Sequence, residues 1–299
     1  GDMDVLYTSR FDDKIAWHEN LTPGNPTAPL AWTNVWTSPP PNTAGTVEIG
    51  IEQPIEWGAA SATTLIPTRS GTWAWDGNAM TLHGPGPTDP YWNNNYAAST
   101  YIASRDEIMM FGGLLTGATR DVTSIYDGSG WTPLFPPIRP GARIDGHMVH
   151  DESRDLSVLF GGFIAGNSLG DTWEHDGTNW IKACPATTPT ARRGAAMAYD
   201  EGLRQIVLFG GSSHNLGNVT FLQDTWIYDG TDWTLKSTTT SPAARAYAAM
   251  AYDPVQRRMI LVGGGPNYAG EVWAFDGYDW FALPSPGQGP ADVDDIAYD

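Results

Sequence analysis

Residues 189–236 read PTARRGAAMAYDEGLRQIVLFGGSSHNLGNVTFLQDTWIYDGTDWTLK, and the stretch returns in altered form on both sides. After it, PAARAYAAMAYD starts at Pro242, RMILVGGG runs to Gly265 and EVWAFDGYDW ends at Trp280. Before it, PGARIDGHMVHD starts at Pro140, LSVLFGG ends at Gly162 and DTWEHDGTNW ends at Trp180. A looser copy lies further upstream, with YAASTYIAS from Tyr96, EIMMFGG to Gly113 and VTSIYDGSGW to Trp131.

The copies keep a period. Gly-Gly pairs begin at 112, 161, 210 and 263, and Asp-Gly pairs at 76, 127, 176, 229 and 276, so successive copies lie 47 to 53 residues apart. Self-similarity at such a spacing marks a repeat architecture. A chain of 299 residues has room for six units. Five are read at 43–84 (unit 1), 91–134 (unit 2), 140–183 (unit 3), 189–236 (unit 4) and 242–283 (unit 5).

Each unit carries the signals of four short strands. In unit 4 the first is small and mixed (RRGAAMAY), and the second is the apolar run QIVLF bounded by Gly-Gly, as suits a buried strand. The third alternates Trp226 and Tyr228 with Thr225 and Ile227 and stops at Asp229-Gly230, a hairpin signal; the fourth begins at Trp233. Glycine pairs supply φ > 0 that a side chain would resist. A four-stranded sheet with apolar faces cannot cover them alone and must lean on copies of itself, which is the physical logic of a β-propeller.

The pattern AMAYD…VLFGG…DTWxYDGTxW resembles the kelch repeat, with its Gly-Gly after the second strand and spaced aromatic residues in the third and fourth. The resemblance is strong from about Tyr96 to Leu283 and is similar to kelch repeats of bacterial secreted and surface proteins, within the wider group that includes the central domain of galactose oxidase. It implies an all-β, six-bladed kelch-type propeller with four antiparallel strands per blade. The kelch class consists mostly of binding modules and includes a few enzymes.

The ends of the chain complete one another. VLYTSR, KIAWHEN and LAWTNVW, between Val5 and Trp36, resemble second, third and fourth strands lacking a first, while PADVDDIAYD at 290–299 resembles a first strand with nothing after it. The expected sixth blade therefore combines 290–299 with 4–36 and closes the ring within a single domain, 1–299. Unit 1 departs from the pattern: Pro67-Thr68 replaces Gly-Gly, and Met80 stands where Trp is expected.

Composition narrows the function. The formal net charge is −18 with only three lysines, Lys14, Lys182 and Lys236, a field that repels nucleic acid and anionic membrane surfaces. No apolar run reaches 18 residues, so no membrane-spanning helix is expected. No leader is read at Gly1, so an exported protein would have had its leader removed. Cys184 stands alone and cannot form an internal disulfide. Scarce lysine with abundant Thr, Asn, Trp and Gly points to an extracytoplasmic protein, expected to be a monomer.

In such a ring the first strands line the channel, and the loops between second and third strands share a rim with the connections that enter each first strand. This mapping gathers the ligand-binding candidates Asn94 and Tyr96 (unit 2), Arg143 (unit 3), Arg192 and Arg193 (unit 4), Arg245 and Tyr247 (unit 5) and Asp292 and Asp294 (terminal unit), with His214 on the longest rim loop. Three neighbouring units bring arginine, whose planar fork suits carboxylate, sulfate or phosphate oxygens. The functional reading is a peptide, protein or glycan ligand gripped at the channel mouth. The competing reading is that Arg143, Arg192 and Arg245, at equivalent positions, are repeat residues bonding backbone carbonyls or neighbouring acids.

Catalytic signals are weak. No GxSxG, HExxH or phosphate-binding loop is present. Asp145 and His147 are the acid–base candidates for an enzyme using the mouth, two apart in a strand and able to share a face. His147 and His150, three apart, should leave on opposite faces, which argues against a shared metal. The resemblance to galactose oxidase does not extend to its copper site, because Cys184 falls in a linker at the outer edge. The iron-binding ExxxDxxxH pattern of plant kelch specifier proteins is absent too, so no cofactor or metal is expected. A third reading is an architectural domain of a larger surface protein.

Overall fold

Each apolar run that ends in Gly-Gly forms the second strand of a small antiparallel sheet. The computed structural model describes residues 4–8, 15–19, 33–36, 56–58, 63–68, 71–75, 80–85, 95–115, 117–215, 217–265, 271–284 and 295–298. Among them every regular element is a β-strand, and the sheets stand in a β-propeller arrangement. Unit 4 pairs Ala196–Asp200, Gln205–Phe209, Thr225–Tyr228 and Trp233–Lys236 in that order. Unit 5 follows with Ala246–Asp253, Arg258–Gly265, Val272–Phe275 and Trp280–Leu283, and unit 3 with His147–Asp151, Leu156–Ile164, Asn167–His175 and Trp180–Lys182. Unit 2 uses Asn95–Ile102, Glu107–Leu115, Thr123–Tyr126 and Trp131–Leu134.

The blades so built number four, against the six that the period predicts. Unit 1 and the terminal unit fall largely outside the described residues. In unit 1 the strands Glu56–Gly58, Thr63–Thr68, Gly71–Trp75 and Met80–Pro85 pair in order. At the chain ends Asp295–Tyr298 pairs with Asp4–Thr8, with Val5 opposite Tyr298, and Ile15–Glu19 and Thr33–Trp36 continue that sheet outward.

Packing between blades explains the third-strand motif Asp-Thr-Trp. In units 3, 4 and 5 the Trp that opens the fourth strand is buried against the preceding blade: Trp180 lies 5.2 Å from Phe111, Trp233 5.1 Å from Phe160 and Trp280 5.0 Å from Phe209, ring centre to ring centre. Its indole N–H, costly to bury alone, donates to a buried threonine of that blade's third strand. The distances are 2.8 Å from Trp180 to Thr123, 3.0 Å from Trp233 to Thr172 and 2.9 Å from Trp280 to Thr225. Replacing Thr225 by valine keeps the shape and strands the Trp280 N–H. The expected loss is about 1–3 kcal/mol in the urea midpoint, and an unchanged midpoint would show that this bond contributes nothing.

Candidate functional site

Arg143, Arg192 and Arg245 sit at the mouth end of units 3, 4 and 5, but their guanidinium groups point into the protein and are almost wholly buried. Arg192 shows the arrangement. Nε donates to Thr190 O (2.8 Å), Nη1 to Gly210 O (2.8 Å) and Asp224 Oδ1 (2.7 Å), and Nη2 to Asp224 Oδ2 (2.8 Å). Arg143 repeats it on Gly141 O, Gly161 O and both oxygens of Asp171, and Arg245 on Ala243 O, Gly263 O and Glu271 Oε2. Burial pushes the Asp171 and Asp224 carboxyls up, but the bonds and charge of Arg143 and Arg192 outweigh it and hold both below the usual carboxylate range. The same acids accept the indole N–H of Trp173 and Trp226. These three arginines, ligand candidates in one reading of the sequence and repeat residues in the other, are held by these bonds as framework residues.

Backbone joins the clamps in series. The carbonyls of Arg143, Arg192 and Arg245 accept the amides of Gly113 (2.9 Å), Gly162 (2.9 Å) and Gly211 (2.8 Å) of the blade before. Both glycines of each pair have positive φ, and a Cβ on Gly112, Gly161 or Gly210 would lie 2.5, 2.6 or 2.7 Å from that carbonyl oxygen. The Gly-Gly signature is thus a docking surface for the next blade.

Two residues beyond each arginine position runs a belt around the mouth. The amide of Asp145 donates to Tyr96 O (2.9 Å), that of Gly194 to Asp145 O (3.3 Å) and that of Tyr247 to Gly194 O (2.7 Å), one step per blade. The belt requires left-handed backbone: φ is 68° at Tyr96, 51° at Asp145, 59° at Gly194 and 58° at Tyr247. Glycine meets that demand freely, whereas a bulky aromatic there is a conformational outlier.

On this belt three blades converge. Arg193, the neighbour of a framework arginine, faces the other way with a side chain 22% exposed, and its Nη1 lies 3.2 Å from Asp145 Oδ2. Its guanidinium covers the Phe163 ring at 4.3 Å, with Tyr247 at 5.9 Å. Tyr247 reaches across unit 4, where its ring occupies the space a Cβ on Gly194 would need, and its hydroxyl donates to Asp145 Oδ2 at 3.4 Å. Arg193 Nε is buried without a hydrogen-bond partner. His214, on the rim hairpin Ser212–Asn215 and Asn218–Phe221, stands edge-on to Phe163 at 5.3 Å and shares a 3.1 Å hydrogen bond with Ser212. Burial first, and Arg193 second, push its imidazole below the ordinary histidine value.

Of the sequence candidates, Tyr96, Asp145, Arg193 and Tyr247 meet on the belt, and His214 joins through Phe163, which the sequence reading passed over. Asn94, Asp292 and Asp294 lie outside the described residues. Asp145 and His147 are not set up as an acid–base pair. The left-handed turn at Asp145 breaks the strand alternation that would align them, and His147 Nε2 is buried without a hydrogen-bond partner. Burial holds the His147 imidazole at about 4, neutral at physiological pH. Among the described residues no cluster of three metal-ligating side chains occurs. Comparison with protein-family models finds no match, and comparison with curated proteins finds none either.

Proposed function

We propose that the chain is a six-bladed propeller of the kelch type that works as an extracytoplasmic binding module, gripping an acidic group of a peptide or glycan at the channel mouth. Neighbour contacts between inner strands support the blade count. They run from Ala246–Asp253 to Asp295–Tyr298, on to Glu56–Gly58 and from there to Asn95–Ile102, which favours a closed ring. The composition, with three lysines and a net charge of −18, supports a setting away from nucleic acid.

The observation that carries the binding reading is the backbone strain of the belt. Gly194 meets the same demand without a side chain, yet Tyr96, Asp145 and Tyr247 hold side chains there at a cost of about 1–3 kcal/mol each. Strain of this kind gathers at ligand sites because side-chain position is worth more than stability there. The group so positioned is a guanidinium stacked on an aromatic ring and paired through Nη1 with Asp145, with 22% of the Arg193 side chain open to solvent. That geometry accepts a carboxylate oxygen while Asp145 and Tyr247 orient a neighbouring donor.

A thermal-shift panel of uronic acids and short peptides with free C-termini tests the reading on wild type and on Tyr247→Gly. The expected result is a carboxylate probe that raises the wild-type Tm and leaves the variant unmoved, with the unliganded variant within about 1 kcal/mol of wild type. A panel in which no acid shifts the wild type, or a variant that binds equally well, would sink the proposal.

A further inference from the structure

Directly opposed residues on neighbouring strands share one face of a sheet, and in every described blade such a row lies at the end away from the mouth. It reads Tyr101, Ile108, Tyr126, Trp131 in unit 2 and Tyr199, Ile206, Tyr228, Trp233 in unit 4. In unit 5 it reads Tyr252, Met259, Phe275, Trp280. In unit 3 the row is His150, Ser157, His175, Trp180, whereas the terminal sheet has Tyr298, Val5 and His18 in the matching register. In unit 3 two aromatic residues and an aliphatic one are replaced by two imidazoles and a hydroxyl, at positions no more than 3% exposed.

This face meets unit 2, where Trp180 packs on Phe111. Besides the Trp180–Thr123 bond and the backbone bonds near the mouth, polar ties across the seam come from the first hairpin of unit 2: Ser104 Oγ and Arg105 Nη1 each donate to Asp155 at 2.9 Å. His150 Nδ1 lies 3.2 Å from Ser157 Oγ, and its Nε2 lies 3.2 Å from Asp155 Oδ1. The Gly177 amide donates to His175 Nδ1 at 3.1 Å, so the single proton of the neutral ring is on Nε2, which is buried with no acceptor. Arg105 packs over the same turn, its Cζ 3.6 Å from the place a Cβ on Gly177 would take, and its Nη2 is also buried without a hydrogen-bond partner. The charged groups around the two imidazoles are Arg105 and Glu107 from unit 2, and Asp151, Glu152, Asp155 and Asp176 from unit 3; Arg154 turns away to Glu174 and unit 4.

We propose that the seam between units 2 and 3 is an acid-sensitive joint: protonation of His150 and His175, packed beside the Arg105 guanidinium, opens it before the seam between units 4 and 5. A second positive charge on either ring has Arg105 as its neighbour, and the His175 Nε2 end faces no acceptor. Desolvation by burial lowers both imidazoles, with Arg105 adding to it and Asp155 or Asp176 opposing it, and His175 is held at about 4. An opened histidine binds its proton near 6.5, whereas the closed His175 does so only near 4, so the closed state loses ground as pH falls between those values. Over the whole window the opening equilibrium of that one ring shifts about 300-fold. Asp151, Asp155 and Asp176 are held low and stay ionised through the upper part of the window. Glu152 is pushed up by burial, so acidification favours its closed form and works against the histidines.

Hydrogen exchange at pH 7 and pH 5, corrected for the intrinsic rate, tests the joint on wild type and on a His150→Tyr, His175→Tyr double variant. Segments 100–110 and 150–160 report the proposed joint; segments 199–209 and 252–262 report the seam between units 4 and 5. The expected result is at least a tenfold greater loss of protection at pH 5 in the first pair, abolished in the variant. An equal change in both seams, or one that persists in the variant, overturns the proposal. If the double variant does not fold, histidine proton titration of the wild type decides. A His175 ring that titrates near 4, with His150 below the ordinary histidine value, supports the joint, and either ring titrating at or above that ordinary value contradicts it.

Discussion

Replacing Arg192 with alanine is expected to lower stability by about 3–5 kcal/mol, the usual consequence of removing one partner of a buried ion pair. The side chain has no exposure, and the truncation leaves Asp224, Gly210 O and Thr190 O without their donor in one step. It also frees the carboxylate that orients Trp226. Lysine should not rescue the loss, because one ammonium cannot reproduce two parallel bonds to Asp224 together with the carbonyl contacts. The urea midpoint measures the effect, and the Arg192→Ala, Asp224→Ala double variant checks its origin. The double loss should fall short of the sum of the singles by 1 kcal/mol or more, of the order seen for coupled neighbours. Strict additivity would mean that the pair is not the source.

Gly210→Ala is expected to be nearly as damaging, at about 3 kcal/mol or more. Alanine must adopt φ of +63°, worth about 1–2 kcal/mol by itself, and its Cβ would lie 2.7 Å from Arg245 O, a backbone atom that cannot swing aside. The carbonyl also holds the Gly211 amide, so relief of the clash pulls apart the contact between units 4 and 5. Gly217→Ala separates the two contributions: φ there is +87°, with nothing within 4 Å of the added methyl. It should show the conformational cost alone, about 1–2 kcal/mol. Equal losses at the two positions would remove the close approach from the explanation.

Much of the ring was legible in the sequence because its contacts are local and repeated. Gly-Gly and the fourth-strand Trp each recur at the period, and each proves to hold a fixed partner. The arginines illustrate a harder inference. Units 3, 4 and 5 carry Arg143, Arg192 and Arg245 together with Asp171, Asp224 and Glu271, whereas unit 2 has Asn94 and Val122 at the matching places. Base and acid are present or absent as a pair, and that covariation within the repeat was the available sign that these arginines answer the fold.

The mouth was only half readable. Tyr96, Asp145 and Tyr247 stood out as residue types, but their left-handed backbone depends on bonds to neighbouring blades, which no local pattern reveals. Tyr247 meets Asp145 across two blade boundaries and 102 residues. The His-Ser-His row likewise emerges only when strand register is known, since its members lie at 150, 157 and 175.

The most direct test of the central claim, that adjacent arginines serve the framework and the mouth separately, is the unfolding midpoint of Arg192→Ala and Arg193→Ala measured side by side. Among the described residues Arg193 has one 3.2 Å ion pair and an aromatic face, is partly exposed, and leaves Asp145 the Tyr247 hydroxyl, so its removal should cost less than half as much as Arg192→Ala. Losses of equal size, or a larger loss at Arg193, would contradict the division.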